Sequence, residues 1–236
     1  MRCKIADLFT EVPETGDLLP RCREYICKQE ESADIIIRTE LFGANLYKEK
    51  LSYNDWIYLK SGNQFYIHLL KHNGLMLHAS AVEFDGRAFL FSGDCGAGKS
   101  THTRLWQSVF GEKAQIFNDD KPALRFLNNK WYAYGTPWCG KDGININMRA
   151  SLAGICFMKQ AEKNRIRRID FPEAVQRIIA QTTRQFYKLE NLDLMLGHVD
   201  NLVRNIPVFE LENRPEPEAA LLSYETMRRA AEEMGL

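Results

Sequence analysis

The chain has 236 residues, 45% of them hydrophobic and 26% charged, and its 31 basic residues balance 31 acidic ones. That is globular composition, with no bulk charge to hold nucleic acid, and enough chain for one large domain or a domain with a smaller appendage. No stretch approaches the roughly 18 apolar residues of a membrane helix, and the N-terminal residues turn acidic and reach Pro13 too early for a secretory signal. The six scattered cysteines contain no C-x-x-C pair, which gives neither a disulfide framework nor zinc-ligand spacing. The expectation is a cytoplasmic protein with neither membrane nor nucleic acid as partner. Its oligomeric state, homo-oligomer included, is left open.

In chain order, residues 1–50 alternate short β-like runs with turns: "CKIADLF", "DIIIRTEL" and "ANLYKEKL". From "SYNDW" to His72, Trp56, Leu59, Phe65, Leu69 and Leu70 recur near helical spacing, with Gly62 read as an interruption. "LMLHASAVEF" and "RAFLFSG" follow as strands, joined by the hairpin signal Asp85-Gly86. "STHTRLWQSVF" reads as a helix. "AQIFN", "PALRFL" and "KWYAYG" read as strands, the last two turning at Asn128-Asn129. "LAGICFM" suits a buried strand, "FPEAVQRIIAQT" a helix with Pro172 in its first turn, and "NLDLMLGHVDNLVRN" a helix weakened by Gly197. "IPVFEL" returns as a strand before the terminal helix "EPEAALLSYETMRRAAEE". Hairpins mixed with helices exclude a simple doubly wound parallel sheet. The expected division is a β-rich N-terminal extension, 1–72, packed on a mixed-sheet α/β domain, 73–236.

The stretch "FLFSGDCGAGKST" carries the chemistry. Gly93, Gly98, Lys99 and Ser100 fit G-x-x-x-x-G-K-[ST], with Gly96 as an extra glycine, after an apolar strand and before a helix. Glycines let main-chain N–H groups approach phosphate oxygens, and a helix N-terminus aims further N–H groups and its dipole at the anion. The predicted phosphate cradle is therefore Gly93, Asp94, Cys95, Gly96, Ala97, Gly98, Lys99, Ser100 and Thr101. Lys99 neutralises the outer phosphates and Ser100 holds Mg²⁺. Cys95 reads as a variable loop position; the alternative is a thiol open to oxidation when nucleotide is absent.

Some twenty residues on, "FNDDK" places Asp119 and Asp120 at the end of a β-like run. Adjacent side chains in extended chain point opposite ways, so the two carboxylates can divide the work of metal ligand and acceptor-positioning group. Asp119 is read as the metal ligand with Ser100, and Asp120 as the group facing the acceptor. In "GTPWCGKDG", Trp138 is expected to exclude water from the site and Lys141 to meet phosphate charge. Arg149 is the candidate arginine for the transferring phosphoryl, with Arg87 and Arg104 as rivals. His68 and His72 stand four apart, but without H-E-x-x-H no zinc site is assigned. "KQAEKNRIRRID" reads as a solvated turn at a strand edge, docking of an acidic peptide being the alternative.

"LHASAVEFDGRAFLFSGDCGAGKST" followed by "FNDDK" resembles the catalytic domain of HPr serine kinase/phosphorylase, over roughly residues 75–160. The resemblance implies the mixed-sheet P-loop architecture shared with phosphoenolpyruvate carboxykinase. It also implies a role for His78 at the phosphate end, beside Lys99 and the aspartates. "YGTPWCGKDGININ" looks like a feature of short relatives of that kinase, some of which sit with ribosomal-peptide maturation systems. This chain has a shorter N-terminal part than the HPr kinases, and "GTPWCGKDG" stands where their glycine-rich signature would be. The implied activity is ATP- or GTP- and Mg²⁺-dependent phosphoryl transfer to a hydroxyl on a peptide, a protein or a small molecule. A nucleotide-binding module without transfer chemistry and a hydrolytic switch are the alternatives.

Overall fold

The computed structural model describes residues 1–14, 16–28, 31–42, 52–183 and 188–236. Strands β1 (Arg2–Ile5) and β2 (Leu8–Glu11) form a hairpin; beyond the short helix α1 (Leu18–Cys22), β3 (Ile35–Ile36) joins β2 in parallel. Ala6 and Asp7 turn the hairpin at φ 51° and 61°, the two positive angles of a type I′ turn. The single run expected over "CKIADLF" is thus two strands, since alanine gives no turn signal. The run "ANLYKEKL" lies outside the described residues.

Helix α2 (Tyr53–Leu69) opens on a capping box. Ser52 Oγ accepts from the Asp55 N–H at 3.1 Å, and the Asp55 carboxylate accepts from the Ser52 N–H at 3.2 Å. The interruption expected at Gly62 does not occur. The helix runs through it, and a Cβ there would lie 2.8 Å from Trp138 Cδ1. Gly62 is a packing requirement imposed by a residue far along the chain.

The large sheet holds β4 (Gly74–Met76), β5 (Ala79–Phe84), β6 (Arg87–Ser92), β7 (Gln115–Asp120), β8 (Ala123–Leu127), β9 (Lys130–Tyr134), β10 (Arg149–Gln160), β11 (Arg165–Arg168) and β12 (Val208–Asn213). Among the described residues it is nine-stranded and mixed, in the order β4-β8-β9-β10-β6-β5-β7, with β12 on β10 and β11 on β12. The turns at Asp85-Gly86 and Asn128-Asn129 both take positive φ, as their sequences demand. Strand β10 is the seam: its start pairs antiparallel with β9, its end pairs parallel with β12, and β6 runs parallel beside it.

Helices α3 (Lys99–Phe110) and α6 (Pro217–Glu233) cover one face, and α4 (Phe171–Gln181) and α5 (Leu189–Asn205) the other. The two-residue strand period sorts the side chains. Phe89, Phe91, Cys156 and Met158 pack with Trp106 and Met227, while Leu90, Ile155 and Phe157 pack with Ile178, Val199 and Leu202. A third cluster joins the N-terminal strands to α2, Tyr134 and Trp138. Among the described residues no helix is long and apolar enough to cross a membrane.

Candidate active site

The glycine-rich loop connects the end of β6 to the start of α3. Gly93, Gly96 and Gly98 take φ of 140°, 83° and 95°, angles that side-chain-bearing residues rarely adopt. Gly93 is tight as well, since a Cβ there would lie 2.9 Å from the Met158 carbonyl oxygen. The first N–H groups of a helix have no intrahelical acceptor. Those of α3 belong to Lys99, Ser100 and Thr101, which line a cavity of about 620 Å³. Lys99 Nζ donates to the carbonyls of Gly93 (2.9 Å) and Asp94 (3.1 Å), and Gln160 Nε2 donates to Gly96 O at 2.7 Å. Burial pulls the Lys99 pKa down, opposed by the nearby carboxylates of Asp120, Asp119 and Asp94.

The acidic pair meets the same cavity. Ser100 Oγ lies 3.0 and 3.1 Å from the two oxygens of Asp119 and donates to that carboxylate. A hydroxyl and a carboxylate in contact at a cavity wall are hard oxygen donors, the kind Mg²⁺ takes. Asp120 takes φ 131° and turns elsewhere, to His78 Nε2 at 3.0 Å and to the ammonium of Lys121. Burial pushes the Asp120 pKa up, but the His78 hydrogen bond and the Lys121 charge outweigh it and hold the carboxyl at about 2. The strand end therefore turns Asp119 toward Ser100 and Asp120 toward His78.

Segment 138–145 buttresses these strand ends. Gly140 N–H donates to the Asp119 carbonyl, Asp119 N–H donates to Ile144 O at 3.2 Å, and a Cβ on Gly140 would lie 2.8 Å from Asp119 O. The N-terminal part holds this segment in turn. Tyr58 Oη donates to Cys139 O at 2.9 Å, and Arg21 Nη1 reaches Tyr58 Oη at 2.9 Å and Cys139 Sγ at 3.0 Å. Asn118 is buried; its amide donates to Thr136 O at 3.0 Å and its Oδ1 accepts from Lys121 N–H at 2.9 Å, fixing the turn after Asp120.

Gly93, Asp94, Cys95, Gly96, Ala97, Gly98, Lys99, Ser100 and Thr101 form one continuous loop and helix start, and His78, Asp119, Asp120 and Lys141 share the cavity with most of them. Gly93, Asp94 and Ala97 instead line a neighbouring cavity of about 530 Å³, on the side of α4 and β12. Two expectations are corrected. Trp138 does not cover the site: it is buried, stacks on Phe65 at 4.8 Å between ring centroids, and donates through Nε1 to Ser61 Oγ at 3.1 Å. Being large and apolar, it is worth more as the anchor between α2 and the sheet than as a lid. Arg149 does not reach the site. It starts β10 beside the beginning of β6, whereas the loop leaves the end of β6, and its guanidinium pairs with Asp7 at 2.7 Å over the Tyr132 ring. Of its rivals, Arg104 pairs with Asp142, which lines the cavity, and Arg87 stands at the far end of β6 near Glu232.

Residues that sequence reasoning missed are Gln160, Gln181, Asn118, Arg21 and Tyr58. Gln160, Gln181, Arg21 and Tyr58 act across separations that no local pattern encodes, whereas Asn118 stands in "FNDDK" and accepts from a backbone N–H only three residues on. In the basic run, Arg167 forms an edge-strand ion pair with Glu173 at 2.8 Å and Glu210 at 2.9 Å.

Fold and site together define a mixed α/β protein with a glycine-rich strand-to-helix loop facing an Asp-Asp strand end. The family described as SynChlorMet cassette protein ScmC matches residues 55–214, and the chain belongs to that family. Among solved structures it is similar to the Hpr(Ser) kinase/phosphatase from Coxiella burnetii. The identity is 12% and the TM-score 0.38, over 68% of this chain and 92% of that chain. No curated protein matches the chain.

Proposed function

We propose that the chain is a kinase that takes the γ-phosphoryl group of ATP or GTP and passes it to a hydroxyl on a peptide, a protein or a small molecule. One observation carries the reading: loop, lysine, Ser100–Asp119 contact and His78–Asp120 pair all meet in one cavity. The resemblance of residues 75–160 to the catalytic domain of HPr serine kinases rests on the same side chains.

In this reading residues 93–101 act as a P-loop. Their N–H groups and the α3 N-terminus offer donors to phosphate oxygens, and Lys99 leaves the loop carbonyls to pair with them. Ser100 and Asp119 would hold Mg²⁺, which when bound neutralises charge on the donor phosphates. Asp120 stays ionised throughout the neutral range. It accepts a hydrogen bond from the acceptor hydroxyl, orients it, and receives its proton late, as suits a loose transition state. His78 holds Asp120 from the far side, and Lys141 sits where an approaching anion would meet it.

The test is incubation with γ-labelled ATP or GTP, Mg²⁺ and cell extract. The reading requires label on an organic acceptor, lost in Asp120→Asn while nucleotide binding persists. Label appearing as inorganic phosphate alone would make the chain a hydrolase. Binding without any release of label would make it a recognition module.

A further inference from the structure

His78 is suspended by two polar contacts. Its Nε2 faces Asp120 Oδ1 at 3.0 Å and its Nδ1 faces Gln181 Oε1 at 3.1 Å. Gln181, the last residue of α4, is held in turn. Its Nε2 donates to Asp94 Oδ1 at 3.2 Å, its carbonyl accepts from the His78 N–H at 2.8 Å, and Thr182 Oγ1 next to it donates to Met76 O at 2.6 Å. The donor pattern sets the direction of the chain. An ionised Asp94 only accepts, so the amide nitrogen of Gln181 must face it, and the amide oxygen is left for His78. That oxygen also only accepts, so Nδ1 of His78 must carry a proton, and the Asp120 carboxylate by the same rule needs a proton on Nε2. The C-terminal end of a helix favours a donor or a positive charge at that place.

We infer that Gln181 is a positioning residue, which accepts from the Nδ1–H of His78 and so turns its Nε2–H onto Asp120, while tying that ring to Asp94 of the glycine-rich loop. The arrangement follows the rule that ring nitrogens are oriented by whatever the opposite nitrogen donates to. Its catalytic consequence rests on the kinase reading: through Gln181, the loop that would hold phosphate shares one hydrogen-bonded chain with the carboxylate that would orient the acceptor. Nothing in the sequence marks this, because Gln181 lies 103 residues from His78 and 87 from Asp94.

The test has two arms, so that failure of this inference and failure of the kinase reading are told apart. The first needs no activity. Nitrogen-15 spectra of the histidine rings at neutral pH should show Nδ1 of His78 protonated in the native chain and in Gln181→Glu, which keeps an acceptor there. In Gln181→Leu that proton should lose its hydrogen-bond shift. His198, whose Nε2 faces Leu70 O at 2.7 Å, serves as the control for an intact fold. The second arm compares transfer with binding. Gln181→Leu should lower the transfer rate about tenfold or more, the scale of a mispositioned proton-handling group, with nucleotide affinity unchanged. Gln181→Glu should recover part of the rate, since it restores the acceptor for Nδ1–H but cannot donate to Asp94. An unprotonated Nδ1 in the native chain overturns the inference even if the variants fail to fold. A Gln181→Leu protein with native ring signals and native rate also overturns it. Absence of transfer by the native chain counts against the kinase reading alone, and the ring spectra then decide the inference.

Discussion

The Asp120 carboxyl gives a prediction whose size follows from the structure. Its pKa is held at about 2, against an ordinary 3.8, because the His78 hydrogen bond and the Lys121 charge outweigh burial. The folded-state value is depressed, so the ionised carboxylate stabilises the fold above the unfolded pKa, and that contribution disappears as pH falls through the folded pKa. At 1.36 kcal/mol per unit, the full contribution is about 2 kcal/mol. Roughly 1 kcal/mol of it is lost between pH 5 and pH 3, and most of the rest by pH 2. Other carboxylates titrate in the same window, so the quantity to measure is a difference of differences. Urea unfolding of the native chain and of Asp120→Asn at pH 5 and pH 3 isolates it, with His78→Gln as a second variant that weakens the same interaction. The native chain should lose about 1 kcal/mol more than Asp120→Asn over this interval. Equal losses would show that the carboxylate has no such partnership, and its role as a group ionised across the neutral range would fall with it.

Other consequences are accessible to simple variants. His102 is buried on α3 against Ser223 and Trp106, and burial pushes its pKa down to about 4. The unfolded chain binds that proton near pH 6.5, so stability is full above this value and falls with pH, by about 2 kcal/mol between pH 7 and pH 5. The difference should vanish in His102→Gln, as read by denaturant midpoints. Gly62→Ala brings a methyl within 2.8 Å of Trp138 Cδ1. It should cost about 1–3 kcal/mol by overpacking, despite alanine's better helix propensity, and a more stable variant would contradict the packing described. Trp138→Ala should destabilise the fold by about 3–5 kcal/mol, and Trp138→Phe much less, with nucleotide affinity in Trp138→Phe unchanged. A selective loss of nucleotide binding in Trp138→Phe would return the residue to the site.

The legible parts of the fold were those set by neighbours in sequence. Asp85-Gly86 and Asn128-Asn129 specify their turns locally, because both residues must accept positive φ. The capped, proline-led start of α4 and the mixed order of hairpins and helices were also visible. The unbroken course of α2 through Gly62 was not, because it depends on an indole that arrives 76 residues later and fills the space of the missing side chain. Trp138 stands among glycines in the sequence, and only the fold brings the Phe65 ring onto it and buries it. Arg149 precedes a buried strand, but its position in the sequence does not say which end of the sheet it occupies. Parallel pairing of β10 with β6 puts the start of one strand beside the start of the other, and the loop belongs to the opposite end. The loop and the acidic pair were legible as local features, three glycines that take positive φ between a strand and a helix and two adjacent carboxylates at a strand end. Gln181 was not, because hydrogen bonds between distant segments leave no period behind.

Calorimetric titration of the folded chain with ATP and with GTP, each with Mg²⁺, tests the central claim most directly. The account predicts saturable binding of at least one nucleotide below millimolar concentration, abolished in Lys99→Met and weakened in Ser100→Ala. No binding heat from either nucleotide at millimolar concentration, with the fold intact, would contradict it.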